Sequence, residues 1–352
     1  MWKLTLLSIC LLLAIPCQAK IITVDDDGPS DFNTIQAAID DVNTVAGDEI
    51  VVSEGTYYES INTNGKAITI RSTNPLDPNT VLNTVINPNS SVRCIYVISN
   101  EDANTVIKGF LLTGGIGGIN CIFSSPTFTN CSISGNSGGM GMGCLGSNPT
   151  LTNCTFSGNL GTNGGGILCN SSNPKLTNCT FSGNSAGYYG GGMYCSGSSP
   201  TLTNCTFSGN SAGRYGGGMY CVSDSNPTLT NCTFIVNDAN TGGGIYCSNS
   251  NPTLTNCTFS GNSAGYYGSG IYSDFANPIL TDSLLCGNFI SDTLALSQIE
   301  GSFTDNGGNF INNACPPPVA KIEGDLDGDG VVDFKDLAIL CANWLAGTEP
   351  EL

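Results

Sequence analysis

The sequence predicts an all-β fold. It is a right-handed parallel β-helix solenoid over residues 20–315, with an N-terminal capping helix and a small C-terminal calcium-loop and helix module. Three observations predict it. A phrase close to Pro-Thr-Leu-Thr-Asn-Cys-Thr-Phe-Ser-Gly-Asn recurs, followed by small residues, Gly-Gly-Gly, Met or Ile, Tyr and Cys. The Asn before the first Cys falls at Asn130, Asn153, Asn178, Asn204, Asn231 and Asn256, with Asp282 in register, at spacings of 23, 25, 26, 27, 25 and 26 residues. Repetition at that period marks a solenoid. Within each repeat the apolar residues alternate as strands do: Leu151, then Cys154 and Phe156 after a turn at Asn153, and later Met193 and Cys195 with Tyr194 on the opposite face. The intervening Gly, Ser and Asn suit tight corners and left-handed backbone, and no piece is long enough for a helix. About 25 residues of two or three short strands make one coil. Leucine-rich repeats have a similar length, but their leucine frame is missing.

Residues 1–19 read as a secretory signal peptide, with Lys3 before an apolar run from Leu4 to Ile15 and a small-residue exit at Cys17-Gln18-Ala19. The run is too short to span a bilayer, so no transmembrane segment is expected. Residues 21–24 read as a strand. Residues 31–42 read as an amphipathic helix with Ile35, Ala38, Ile39 and Val42 on one face, a cap over the first coil's open edge. Residues 49–59 and 66–71 read as strands of the first coils, and residues 80–125 as degenerate coils.

The regular coils, 121–282, place like residues on like about 4.8 Å apart. Three inward rows follow: Phe128, Leu151, Leu176, Leu202, Leu229, Leu254, Leu280; Ile133, Phe156, Phe181, Phe207, Phe234, Phe259; and Met142, Ile167, Met193, Met219, Ile245, Ile271. The turn asparagines form an amide ladder, and a second Asn row runs from Asn136 through Asn159, Asn184, Asn210 and Asn237 to Asn262. The six Asn-Cys-Ser/Thr sequons read as a by-product of the ladder, since a turn packed between coils leaves no room for a glycan. Two cysteine rows start at Cys131 and Cys121. The chain has no His and no CxxC spacing, which excludes a zinc pattern. Two readings stand for them: buried thiols acting as apolar filler, or disulfides in an oxidising compartment. Cys286 and Cys315 are candidates to staple the last turn.

Tyr194, Tyr220, Tyr246 and Tyr272 recur every 26 residues opposite the core, with Tyr188, Tyr189, Tyr215, Tyr266 and Tyr267 in the preceding corner. An exposed aromatic row suits sugar rings or a partner surface. The other reading is tyrosines packed on one another to cover the sheet.

The net charge is −18, from 28 acidic and 10 basic residues. Ten cations make no phosphate-binding stripe, so nucleic acid is not an expected partner. Residues 103–223 contain no Asp or Glu. The central coils offer only Asp224 and Asp238, with Lys175 and Arg214. Carboxylates paired between adjacent coils, as polysaccharide hydrolysis needs, are absent there.

Residues 316–323 open with three prolines and read as a linker. In 324–346, Asp325, Asp327, Asp329, Asp333 and Asp336 occupy positions 1, 3, 5, 9 and 12 of an EF-hand loop. Gly330 stands at position 6, and Val331 supplies a backbone carbonyl. Calcium is the expected cofactor.

Three resemblances add to this reading. Phe-Ser-Gly-Asn followed by Gly-Gly-Gly-Met/Ile is similar to the repeats of the polymorphic outer membrane protein family, which implies a β-helical surface protein. Asp27-Gly28-Pro29-Ser30-Asp31-Phe32-Asn33-Thr34-Ile35-Gln36-Ala37-Ala38-Ile39 and Gly55-Thr56-Tyr57-Tyr58-Glu59 resemble the N-terminal part of pectin-lyase-like proteins, pectin methylesterases in particular. This implies the fold, while that family's catalytic motifs are not found. The C-terminal loop, with Asp at position 12, resembles one type I dockerin repeat. This implies calcium binding and raises a cohesin-like partner, although a full dockerin has two repeats.

The expectation is a secreted or cell-surface, non-catalytic β-helix that binds polysaccharide or a surface partner, with a calcium-binding tag for attachment or assembly. The alternative is a polysaccharide-active lyase, hydrolase or esterase.

Overall fold

The computed structural model describes residues 19–89, 92–291 and 293–315. The signal-peptide reading (1–19), the linker and the calcium loop, with Asp325, Asp327, Asp329, Val331, Asp333 and Asp336, lie in or almost wholly in segments outside the described residues.

The chain winds as a parallel β-solenoid. Its coils build a 12-stranded, an 11-stranded and a 10-stranded sheet along its length, and a fourth, 6-stranded sheet joins in the regular coils. The first sheet runs from Ile21–Val24 to Thr304–Asp305. The second runs from Gly55–Tyr57 to Phe310–Asn312, and the third from Ile61–Asn62 to Ile299–Glu300. The fourth runs from Leu160–Asn163 to Phe289–Ile290. A repeat therefore holds four strands in its fullest form. The Ser-Ala-Gly-Tyr-Tyr segments, read from sequence as corners, are strands Ser185–Tyr189 and Ser263–Tyr267 of the fourth sheet.

The three inward rows stack in register, Leu151 on Leu176, Phe156 on Phe181 and Ile167 on Met193. They are fully buried in one continuous core. The phenylalanine rings from Phe156 to Phe259 lie face to face with centroids 4.5–5.1 Å apart. That is the coil spacing, so one aromatic column fills the interior without gaps.

The two asparagine rows serve different surfaces. Asn136 through Asn262 is buried, and each Nδ2 donates to the Oδ1 of the next coil's asparagine at 2.8–3.1 Å. Asn130 through Asn256 lies outside the barrel. There each Nδ2 donates to the preceding coil at 2.8–3.1 Å, from Asn153 onward. This outer row sits at φ of 51–54°, a left-handed conformation that asparagine tolerates and most residues do not. The sequons are thus on an outward corner, with Asn178, Asn204, Asn231 and Asn256 exposed. The expectation of a turn closed between coils is corrected: a corner stacks only above and below, and its outer side meets water.

Both cysteine rows are buried free thiols. In the row from Cys131 to Cys257 each Sγ donates to the carbonyl two residues earlier at 3.4 Å. Cys286 and Cys315 form a disulfide.

At the N-terminal end, the cap is a single short helix, α1, Ile35–Asp40, with Thr34 as N-cap and Ile35, Ala38 and Ile39 buried. It ends earlier than the 31–42 pattern predicts, and Val42 is 86 % exposed. The Asp41 amide still bonds Ala37 O, and the chain then turns away from the coil edge. A second helix, α2, Pro78–Asn83, was not foreseen and is set by Asp77 at its N-cap and proline in its first turn.

A candidate ligand-binding face

The third sheet turns one residue in two outward. Its outward register pairs Tyr194 with Tyr220, Tyr220 with Tyr246 and Tyr246 with Tyr272. The fourth sheet ends beside it with Tyr189 opposite Tyr215. Three glycines join the two sheets at 164–166, 190–192, 216–218 and 242–244, and Gly268-Ser269-Gly270 does so in the next coil. A Cβ on Gly190 would stand 2.3 Å from Met193 O, and one on Gly191 would stand 2.4 Å from Gly217 O of the next coil. The first residue of each corner, Gly164, Gly190, Gly216, Gly242 or Gly268, sits at φ of 56–68°, which favours glycine. The corner lays the tyrosines of one sheet over those of the other.

The result is a slab of stacked rings. Centroids lie 5.4, 5.2 and 5.1 Å apart along the column from Tyr194 to Tyr272. Across the two sheets, Tyr189 is 5.0 Å from Tyr220 and Tyr215 is 4.5 Å from Tyr246. Four coils about 4.8 Å apart give a length of about 14 Å, near that of three sugar residues. The exposed row expected from sequence is corrected in one respect. Tyr220 and Tyr246 are only 9 % and 7 % exposed, because the corner tyrosines lie over them. Tyr194 and Tyr272 are half-buried, and the rings open to solvent are Tyr188, Tyr266 and Tyr267. Arg214 Cζ lies 4.9 Å from the Tyr188 ring centroid.

Polar groups rim the slab. Asp274 Oδ2 accepts from Tyr246 OH and Ser248 Oγ, each at 3.3 Å. Glu300, opposite Tyr272, accepts from the Gly268 amide at 3.2 Å. Burial and then the neighbouring tyrosines push the Tyr220 phenol up to about 12. Burial and Asp274 raise that of Tyr246. Both phenols stay neutral over the physiological range and keep a hydroxyl donor.

The acids singled out in the central coils do not meet. Asp224 sits in a turn after the third sheet, and Asp238 opens a strand of the fourth and accepts from Ser263. Among the described residues, one set of three carboxylates comes within 4.8 Å, Asp25, Asp26 and Asp27 of the first coil. Asp25 there accepts from the amides of Asp27 and Gly28. Glu59, in the stretch resembling pectin methylesterases, accepts from the amides of Ile35 and Gln36 and so caps α1.

Sequence reasoning missed a serine ladder. The amides of Ser124, Ser147, Ser172, Ser198 and Ser225 each donate to the serine hydroxyl of the next coil at 3.0–3.2 Å, and Ser124 Oγ donates to buried Glu101. The signal was legible: a serine two residues before the proline of each repeat from Pro126 to Pro252.

Comparison with known proteins agrees with this architecture. The family model described as right handed beta helix region matches residues 83–234 and 187–314. A cell surface glycoprotein of Methanothermus fervidus is 34 % identical over 110 residues, 30 % of this chain. The match spans only 17 % of that relative's length. Among solved structures, pectate lyase Pel9A superposes with a TM-score of 0.53 at 16 % identity, over 95 % of this chain and 88 % of that one. ORF18 of Geobacillus virus E2 gives 0.51 at 14 % identity, over 83 % and 60 %. At such identities the likeness is one of fold. The chain belongs to the right-handed β-helix family.

Proposed function

We propose that this β-helix is displayed at or beyond the cell surface and binds a neutral polysaccharide along its tyrosine slab. The observation that carries the reading is the slab itself: the exposed Tyr188, Tyr266 and Tyr267 rings beside a stacked tyrosine column, rimmed by hydroxyl and carboxylate groups. Sugar rings stack on aromatic faces through their C–H surfaces, and the rim offers hydrogen bonds that fix orientation. A net charge of −18 favours a neutral glycan over an acidic one. The surface-glycoprotein relative supports the location. A glycan array with the full chain tests the reading. Binding to neutral glycans is expected, weakened strongly by Tyr188→Ala with Tyr266→Ala and Tyr267→Ala. Unchanged binding in that triple variant would remove the slab from consideration.

The C-terminal segment is proposed to bind calcium through Asp325, Asp327, Asp329, Asp333, Asp336 and the Val331 carbonyl, and to serve attachment, a cohesin-like protein being one partner chemistry. Five carboxylates at EF-hand spacing would repel one another until a cation neutralises them. Affinity in the range of about 10⁻⁵ to 10⁻³ M, from the weak end of sensor sites to that of extracellular modules, is expected. Titration calorimetry should lose that heat in Asp325→Ala/Asp336→Ala.

A polysaccharide lyase, hydrolase or esterase is the second reading, favoured by the Asp25–Asp27 cluster on the first coil. Turnover of a polysaccharide abolished by Asp26→Asn would establish it.

A further inference from the structure

A second outward surface is as ordered as the tyrosine slab and differs in chemistry. In the first sheet, the regular coils contribute strands Thr127–Thr129, Thr150–Thr152, Thr201–Thr203, Thr228–Thr230 and Thr253–Thr255. The middle residue of each enters the core, and both threonines face out. Register places Thr129, Thr152, Thr177, Thr203, Thr230, Thr255 and Thr281 in one unbroken column. The parallel column holds Thr127, Thr150, Thr201, Thr228 and Thr253, interrupted by Lys175 and ending at Ile279.

The two columns make a regular lattice. Neighbours lie about 4.8 Å apart between coils and about 6.6 Å apart along each strand. Threonine is stiff at χ1, so each hydroxyl and methyl is held in a fixed direction. Thr127 Oγ1 donates to Ala103 O. Among the described residues, the threonine hydroxyls from Thr150 to Thr255 in these columns make no side-chain hydrogen bond to protein; Thr177, Thr201 and Thr228 are exposed and the others partly buried. They are left to bond water. Carboxylates are absent from 103–223, and the exposed Lys175 is the one charge within the two columns. The outer asparagine ladder borders it along its length, adding a third aligned polar row.

We propose that this threonine face binds ordered water, the surface of an ice crystal. Its two spacings are close to the oxygen repeats on a prism face of ice, and its methyls fill the spaces between anchored waters. A flat crystalline polysaccharide is the other periodic hydroxyl surface. Sugar faces are held by aromatic rings, and this sheet presents none; those are on the third and fourth sheets. The inference does not depend on glycan binding by the tyrosine slab.

The test uses the full chain in slowly grown ice. Measured are its incorporation into the ice fraction and its inhibition of recrystallisation. The wild type is expected to enter the ice and to keep crystals small. Thr203→Lys with Thr230→Lys places two long cations at the centre of the lattice. Binding is multivalent across the array, so activity should then require about tenfold more protein or disappear. Thr203→Val with Thr230→Val keeps the shape and isolates the hydroxyls, and its melting temperature reports whether the fold is intact. Tyr266→Ala with Tyr267→Ala should leave ice activity unchanged. Exclusion of the wild type from ice, as for an ordinary soluble protein, overturns the proposal. So does full activity in the lysine variant. Threonine-dependent sedimentation with crystalline cellulose or chitin in the absence of ice activity would also overturn it, and would assign the face to a polysaccharide crystal.

Discussion

The first coils and the regular coils share a barrel but satisfy their polar groups in opposite ways. In the regular coils a buried group finds its partner in a copy of itself one coil away: Asn184 bonds Asn210, and Ser172 bonds Ser198. In the first coils and at the ends the partner is a different residue. Glu59 caps α1, Glu101 accepts from Ser124, Thr63 and the Ser99 amide, and Gln298 Oε1 accepts from Asn288. Charge follows the same division. Among the described residues, the one ion pair, Arg71–Glu49 at 2.6 Å, is in the first coils. A stack is self-sufficient except where it stops, and there it needs residues of another kind.

The largest expected effect breaks the stack from inside. Phe207→Ala opens a gap in the aromatic column and should cost about 3–5 kcal/mol, read by urea melting. Tyr220→Ala, on the outer slab, should cost less, since its ring rests against neighbours that can close over the gap. Equal losses would mean that both columns belong to one core.

Next come the amide ladders. Asn210→Ala strands the buried Nδ2 and amide of Asn184, which both donate to Asn210. A cost of about 1–3 kcal/mol is expected. Asn204→Gly removes an exposed rung while keeping a left-handed backbone, and should stay within about 0.5 kcal/mol. A large loss in the second variant would make the outer ladder structural rather than ornamental.

The smallest effect concerns an end group. Burial would raise the Glu101 carboxyl, but its hydrogen bonds outweigh this and hold it below the ordinary value of 4.5. A carboxylate depressed in the folded state contributes stability above its unfolded pKa, and that contribution is lost as pH falls through the folded pKa. The wild type should therefore lose melting temperature below about pH 4.5, and Glu101→Gln should flatten that part of the profile. An unchanged slope would place the acid sensitivity in other carboxylates.

The period, the three inward rows, both asparagine rows and the strand Ile21–Val24 were legible from residues alone. Each depends on alternation along a strand and on repetition between coils, which are properties of the chain itself. Only the tertiary structure decided which asparagine row faces inward, that Ser-Ala-Gly-Tyr-Tyr forms a fourth sheet, and that Tyr189 and Tyr215 bury Tyr220 and Tyr246. Those outcomes turn on the angle of each corner. That angle is set by contact between coils some 25 residues apart in sequence, such as Gly191 against Gly217, and alternation within a single repeat carries no information about it.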